Sequence, residues 1–162
     1  MTKLSLIGPG RHGTTIASLF ASHGVDITLY HHNPSKAERA RQVVSAQAKG
    51  AVSVAATLEE AAGAADIVAL TTLWDAPQRQ VLGVIGEQLL GKVLLDVSNP
   101  LDVTPQGVMM RRPPQGSAGQ FVATLLPEGV GHAKAFSNLA TAIIPAAADK
   151  SPRAAMAYVA DS

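Results

Sequence analysis

The chain contains no cysteine. That excludes a disulfide framework and every thiolate metal site, and it is the pattern expected of a cytoplasmic protein. Aromatic residues make up only 4% of the chain, so a core must be assembled from Val, Ile, Leu and Ala. Charge is neither abundant nor one-sided, with 13 Lys and Arg against 12 Asp and Glu. With no basic stripe interleaved with aromatics, a nucleic-acid role has no support. The Arg111-Arg112 pair stands among prolines and reads as part of a solvated loop. No apolar run is long enough to span a membrane, and the start of the chain lacks a signal peptide's long apolar core. No pair or triplet of His, Asp and Glu has metal-ligand spacing.

What is present is a globular composition, 47% hydrophobic over 162 residues, the size of one domain. Short apolar runs alternate with segments of helical period. Residues 3–7 read as a buried strand stopped by Gly8-Pro9-Gly10. A helix follows over 11–23, where Ile16, Leu19 and Phe20 fall at helical spacing and Gly24 ends it. Residues 25–30 form a second strand, and Asn33-Pro34 opens a helix that runs to about residue 48. A weak third strand at 51–54 precedes a capping box, Thr57 to Glu60, and a short helix. Further strands are expected at 66–70, 92–97, 132–136 and 154–159, with helices over 77–90 and after Ser117. The stretch 104–119, rich in Pro, Gly, Gln and Ser, reads as a long surface loop.

Strands alternating with helices imply an α/β fold: a doubly wound parallel sheet, a Rossmann-type NAD(P)-binding domain, expected to occupy residues 1–162 as one unit. In such a sheet ligands lie beyond the carboxyl ends of the strands, where strand order reverses. The residues just after each strand are therefore the informative ones. The first of these turns is Gly8-Pro9-Gly10-Arg11-His12-Gly13, the pattern G-x-G-x-x-G between a strand and a helix. Gly8 permits the tight turn, Gly10 lets a pyrophosphate approach the backbone, and Gly13 lets helix and strand pack closely. The helix N-terminus then offers unpaired N–H groups to the phosphates.

The end of the second strand selects the cofactor. NAD sites place an Asp or Glu there to bind the ribose hydroxyls. This chain has His31, His32 and Asn33, followed by Lys36 and Arg39, and Asp26 stands at the opposite end of the strand. Nothing there repels a 2′-phosphate, so NADP(H) is favoured over NAD(H); the alternative is that the histidines are solvated loop residues. With ordinary imidazoles, NADPH binding is expected to weaken relative to NADH between about pH 6 and 8. A methyltransferase also uses a glycine loop, but its acidic ribose partner after the second strand is missing.

Four segments in order resemble the deazaflavin-dependent NADP reductases: the glycine loop, Leu70-Thr71-Thr72-Leu73-Trp74, Asp96-Val97-Ser98-Asn99-Pro100-Leu101 and Lys134-Ala135-Phe136. The resemblance spans nearly the whole chain. It implies a nicotinamide framed by Thr71, Thr72, Leu73, Trp74, Ser98, Asn99 and Pro100, with the Phe136-Ser137 turn nearby. It further implies hydride exchange between NADP(H) and a small-molecule redox partner, coenzyme F420 or a flavin. Family members continue past the strand ending at Val159 into helices that help to form the second-substrate site and often a homodimer; those helices are not in this sequence.

Read from the residues alone, Thr71 and Thr72 suit either a nicotinamide contact or plain strand-end capping, and Trp74, the single tryptophan, suits a core anchor better than a stacking partner. No general acid or base can be assigned. His12 lies in the phosphate loop, and His132 and Lys134 flank a strand with room to face solvent. Hydride transfer between two cofactors needs aligned rings more than a protein acid, so this silence favours a redox-cofactor partner over a carbonyl substrate. The alternative is a non-catalytic module that senses or stores the dinucleotide.

Overall fold

A computed structural model describes residues 2–152 and 154–161. The strand β1 (Lys3–Ile7) is buried from Leu4 onward and ends in the glycine turn. Helix α1 (Arg11–Ser22) returns to β2 (Asp26–Tyr30), and α2 (Pro34–Ser45) leads to β3 (Val52–Val54). The second half follows the same rhythm: α3 (Leu58–Gly63), β4 (Ile67–Leu70), α4 (Ala76–Ile85), β5 (Val93–Asp96). Local chemistry sets these starts. Asn33 caps α2 by accepting the Ser35 and Lys36 N–H groups, and Thr57 caps α3 by accepting from Glu60 N. Glu60 reaches back to Ala56 N at 2.7 Å, completing the expected capping box one residue further out.

The third part of the chain departs from expectation. Instead of one long loop, residues 101–110 form a hairpin, β6 (Leu101–Thr104) against β7 (Gly107–Met110), turning at Pro105-Gln106. The Pro and Gln of the turn separate two four-residue stretches, Leu-Asp-Val-Thr and Gly-Val-Met-Met, too short to read as strands by periodicity. Helix α5 (Ala118–Ala123) follows, then β8 (Gly131–Lys134). A short helix α6 (Ile143–Ala147) was unanticipated because Pro145 sits inside it; the described residues between it and Val159 hold no helix or strand. The strand expected over 154–159 is reduced to β9 (Val159–Ala160). The helix expected over 77–90 is α4 plus a 3₁₀ turn, Gly86–Leu89.

Sheet order is β3-β2-β1-β4-β5-β8-β9, parallel throughout except for β9 against β8. The chain winds outward from β1 to β3, returns to β4 and winds the other way. The reversal, and the crevice it opens, therefore lies between β1 and β4. Side chains alternate across the sheet into two cores. Leu4, Leu6, Ile27 and Leu29 pack under α1 and α2, with Ile144 of α6. Ile7, Val68, Leu70 and Leu94 pack under α3, α4 and α5, with Trp74 and Phe121. Burying strands on both faces is what makes them near-continuous apolar runs. No described helix is long and apolar enough to cross a membrane.

Candidate functional site

The glycine turn is built as its spacing implies. Gly8 N donates to Tyr30 O at 2.9 Å, tying the turn to the end of β2. Gly8 has φ +80°, and a Cβ there would lie 2.6 Å from the Thr72 methyl. A Cβ on Gly13 would lie 2.5 Å from Thr71 Oγ1, so this glycine lets α1 press against the end of β4. Gly10 differs from both: a Cβ there would meet nothing within 4 Å. Its missing side chain leaves open space at the mouth of α1, whose first N–H groups have no intrahelical partner. That cradle fits a dinucleotide pyrophosphate.

The other singled-out residues fall on the same edge of the sheet, at the carboxyl ends of β2, β4 and β5. After β2, His31 and His32 stack with ring centroids 4.3 Å apart. His31 Nδ1 accepts from Asn33 N at 3.0 Å, which leaves Nε2 outward. The Asn33 carboxamide oxygen is committed to capping α2. Partial burial, then the neighbouring His32 and Lys36 charges, lower the His31 pKa below its ordinary value. Lys36 and Arg39 are exposed beside them.

After β4 the residues divide. Thr71 Oγ1 donates to Ile7 O at 3.0 Å, the strand-end capping role. Thr72 Oγ1 is buried without a protein partner, and Leu73 is 75% exposed. Trp74 turns inward, 8% exposed, with its ring 5.1 Å from Phe121. The core-anchor reading is the one its packing supports. The next residue, Asp75, takes φ +66°, and Phe136 at the end of β8 takes φ +60°. Two non-glycine residues in the left-handed region thus flank the crevice, where backbone strain commonly gathers at functional sites.

Both ring nitrogens of His12 meet protein atoms. Its Nε2 bonds Phe136 O at 3.1 Å and its Nδ1 bonds Thr141 Oγ1 at 2.9 Å, so the imidazole pins α1 to the segment after β8. Pro9 is buried and Arg11 exposed. His132 lies partly buried, and desolvation, the largest influence on it, lowers its pKa.

Sequence reasoning missed one constellation. Asp96 ends β5 with no exposure, and Lys134 ends β8 opposite it in register. Lys134 Nζ donates to Asp96 Oδ2 at 2.9 Å and to Ser98 O at 2.5 Å. Asp96 Oδ1 accepts from Ser98 N at 2.9 Å, Ser98 Oγ at 2.7 Å and Gln78 Nε2 at 3.3 Å. Lys134 is therefore a partly buried partner of a fully buried carboxylate, not the solvent-facing flank it resembled. Asn99 stands at the exposed tip of this turn, its Nδ2 donating to Ser137 O at 2.8 Å. The pair became visible only once β5 and β8 were adjacent, because 38 residues separate its members.

A cavity of about 750 Å³ lies elsewhere, between α1, α6 and residues 147–151, 154 and 156, with Leu19, Phe20 and Ile143 in its wall. Among the described residues no group of three or more His, Cys, Asp or Glu could hold a metal ion.

Strand order, reversal point and glycine cradle define the class: a Rossmann-type NAD(P)-binding, dehydrogenase-like domain. Residues 3–85 match the family described as 3-hydroxyacyl-CoA dehydrogenase, NAD binding domain, and the chain belongs to that family. The resemblance read from the four motifs is borne out by a relative. Over 148 residues the chain is 32% identical to the F420-dependent NADP reductase of Methanothermobacter thermautotrophicus, covering 88% of this chain and 63% of that protein. The chain thus spans less than two thirds of that relative's length.

Solved structures agree on the fold. A hypothetical protein of Sinorhizobium meliloti matches at TM-score 0.74 and 24% identity, over 93% of this chain and 68% of its own. A putative F420-dependent NADP reductase from Arthrobacter sp. FB24 matches at 0.69 and 20%, over 88% and 66%. A reductive aminase from Aspergillus terreus in complex with NADPH matches at 0.62 and 22%, over 88% and 43%.

Proposed function

We propose that this domain binds NADP(H) across its first glycine turn and exchanges hydride between the nicotinamide and a second redox cofactor, a deazaflavin such as F420 or a flavin. One observation carries the reading: the Gly10 position opens onto empty space at the N-terminus of α1, while Gly8 and Gly13 are closed against Thr72 and Thr71. The pyrophosphate would rest against Gly10 and on the N–H groups of Arg11, His12 and Gly13, with Pro9 packed behind the turn. The 2′-phosphate would meet His31 Nε2, His32 and Lys36, with the Asn33 side chain holding the start of α2 in place. Leu73, Asn99 and Pro100 would border the nicotinamide; Thr71, Thr72, Trp74 and Ser98 would support it from beneath. The relative from Methanothermobacter thermautotrophicus, an F420-dependent NADP reductase, supports the choice of both cofactors.

Both ring nitrogens of His12 and the ammonium of Lys134 are already engaged within the protein. Neither is free to act as an acid, which suits hydride exchange between two ring systems. It suits equally a module that binds the dinucleotide without turning it over. Incubation with NADPH and oxidised F420 or flavin separates the two, with loss of NADPH absorbance expected. Binding of NADPH without oxidation by any such acceptor would leave the module reading standing.

A further inference from the structure

We infer that Asp96, Lys134 and Gln78 are positioning residues for the nicotinamide half of the coenzyme. The inference rests on the NADP(H) reading above and goes past it to the question of what holds the reactive end. Burying a carboxylate and an ammonium together is a poor way to gain stability, because the cost of desolvation cancels most of their attraction. The pair here does something more specific. Ser98 has its N–H, its hydroxyl and its carbonyl all taken by Asp96 and Lys134. No polar group of Ser98 is left to face a ligand, so Ser98 is the pivot of the turn and not its contact surface.

The contact falls to Asn99. Its side-chain Nδ2 donates one hydrogen to Ser137 O, which fixes the carboxamide and leaves its oxygen as an acceptor. An acceptor fixed in this way selects a donor: a ribose hydroxyl or the carboxamide NH₂ of the nicotinamide. Gln78 extends the device sideways. Its Nε2 donates to Ser98 Oγ at 2.8 Å, and its Oε1 accepts from Asp75 N at 3.2 Å. The turn after β5 is thereby tied to the turn after β4, where Asp75 holds its left-handed conformation. Lys134 ties the same turn to β8. Three strand ends are thus locked together by one buried network.

None of these bonds involves residues 8–13 or 31–36. The adenine half of the coenzyme should therefore be indifferent to the network, and the nicotinamide half should depend on it. Adenosine 2′,5′-bisphosphate carries the adenine, the 2′-phosphate and one phosphate for the glycine turn, but no nicotinamide. Titrating this compound and NADPH by calorimetry into the full chain isolates the effect. Energy transfer from Trp74, the single tryptophan, to the reduced nicotinamide reports where the ring sits.

Two variants are used. Asp96→Asn with Lys134→Met removes both charges together and leaves no uncompensated ion. Gln78→Met keeps the ion pair and removes only the sideways tie, so it carries the test if the double variant does not fold. Each is expected to weaken NADPH on the order of tenfold, to leave adenosine 2′,5′-bisphosphate within about twofold, and to reduce the energy transfer. Lys134→Arg, which retains a donor to Ser98 O, is expected to restore part of the loss. Equal weakening of both ligands, or unchanged NADPH affinity and energy transfer, overturns the positioning role. A wild-type chain that binds neither ligand overturns the coenzyme reading itself, which the half-ligand makes a separate result.

Discussion

At the level of single residues, the glycines do different work although they share one motif. Gly10→Val places its branches in the space assigned to the pyrophosphate and touches no protein atom within 4 Å at Cβ. NADPH affinity measured by fluorescence is expected to fall at least about tenfold with the melting temperature unchanged. Gly13→Val is the reverse case: its Cβ would collide with Thr71, and the strain of overpacking should cost roughly 1–3 kcal/mol in denaturant unfolding. A Gly10 variant that binds normally would remove the pyrophosphate from this turn.

His31 carries the pH dependence at this scale. Its pKa is lowered, chiefly by burial, so its cationic form exists only at more acidic pH than an ordinary imidazole allows. A charged contact from His31 to a 2′-phosphate is present below that pKa and lost as pH rises through it. The window expected from sequence therefore moves down. The advantage of wild type over His31→Gln in the NADPH-to-NADH affinity ratio should shrink as pH rises, and should do so on the acidic side of an ordinary imidazole's titration. An advantage that does not vary over that range would exclude His31 from the phosphate site.

At the scale of elements, caps and cross-strand ties decide where turns sit. The Thr57 side chain accepts from Glu60 N at the start of α3, and Thr57→Ala should cost about 1 kcal/mol in thermal or chemical denaturation. The tie between β5 and β8 is more expensive to break on one side only. Lys134→Met alone strands a buried Asp96 carboxylate, and a loss of roughly 3–5 kcal/mol is expected in chemical denaturation. Helix starts and strand cores were legible because capping chemistry and apolar runs are local. The hairpin at 101–110 was not, since each of its strands is four residues long and Gly-Val-Met-Met carries no alternation. Neither was α6, whose few residues owe their helicity to Ile144 packing under the sheet with Ile16 and Phe136.

At the scale of the whole molecule, a ligand that binds only the folded chain must stabilise it. NADPH at a hundred times its dissociation constant adds about 2.7 kcal/mol. For a domain of this size that raises the melting temperature by roughly 5–10 °C. NADH at the same concentration should raise it less, and Gly10→Val should abolish the gap between them. Equal shifts from the two coenzymes would contradict selection for the 2′-phosphate.

The amino-acid sequence by itself determined the alternation of strands and helices, the glycine turn and the absence of an acidic residue after β2. Each of these is a contiguous stretch whose physics is read from neighbours along the chain. Folding alone decided which of the singled-out side chains remain free. It bound both nitrogens of His12 and closed Asp96 against Lys134. Those outcomes depend on contacts between strands and loops far apart in the chain, and only the order of the sheet brings such partners within hydrogen-bonding distance.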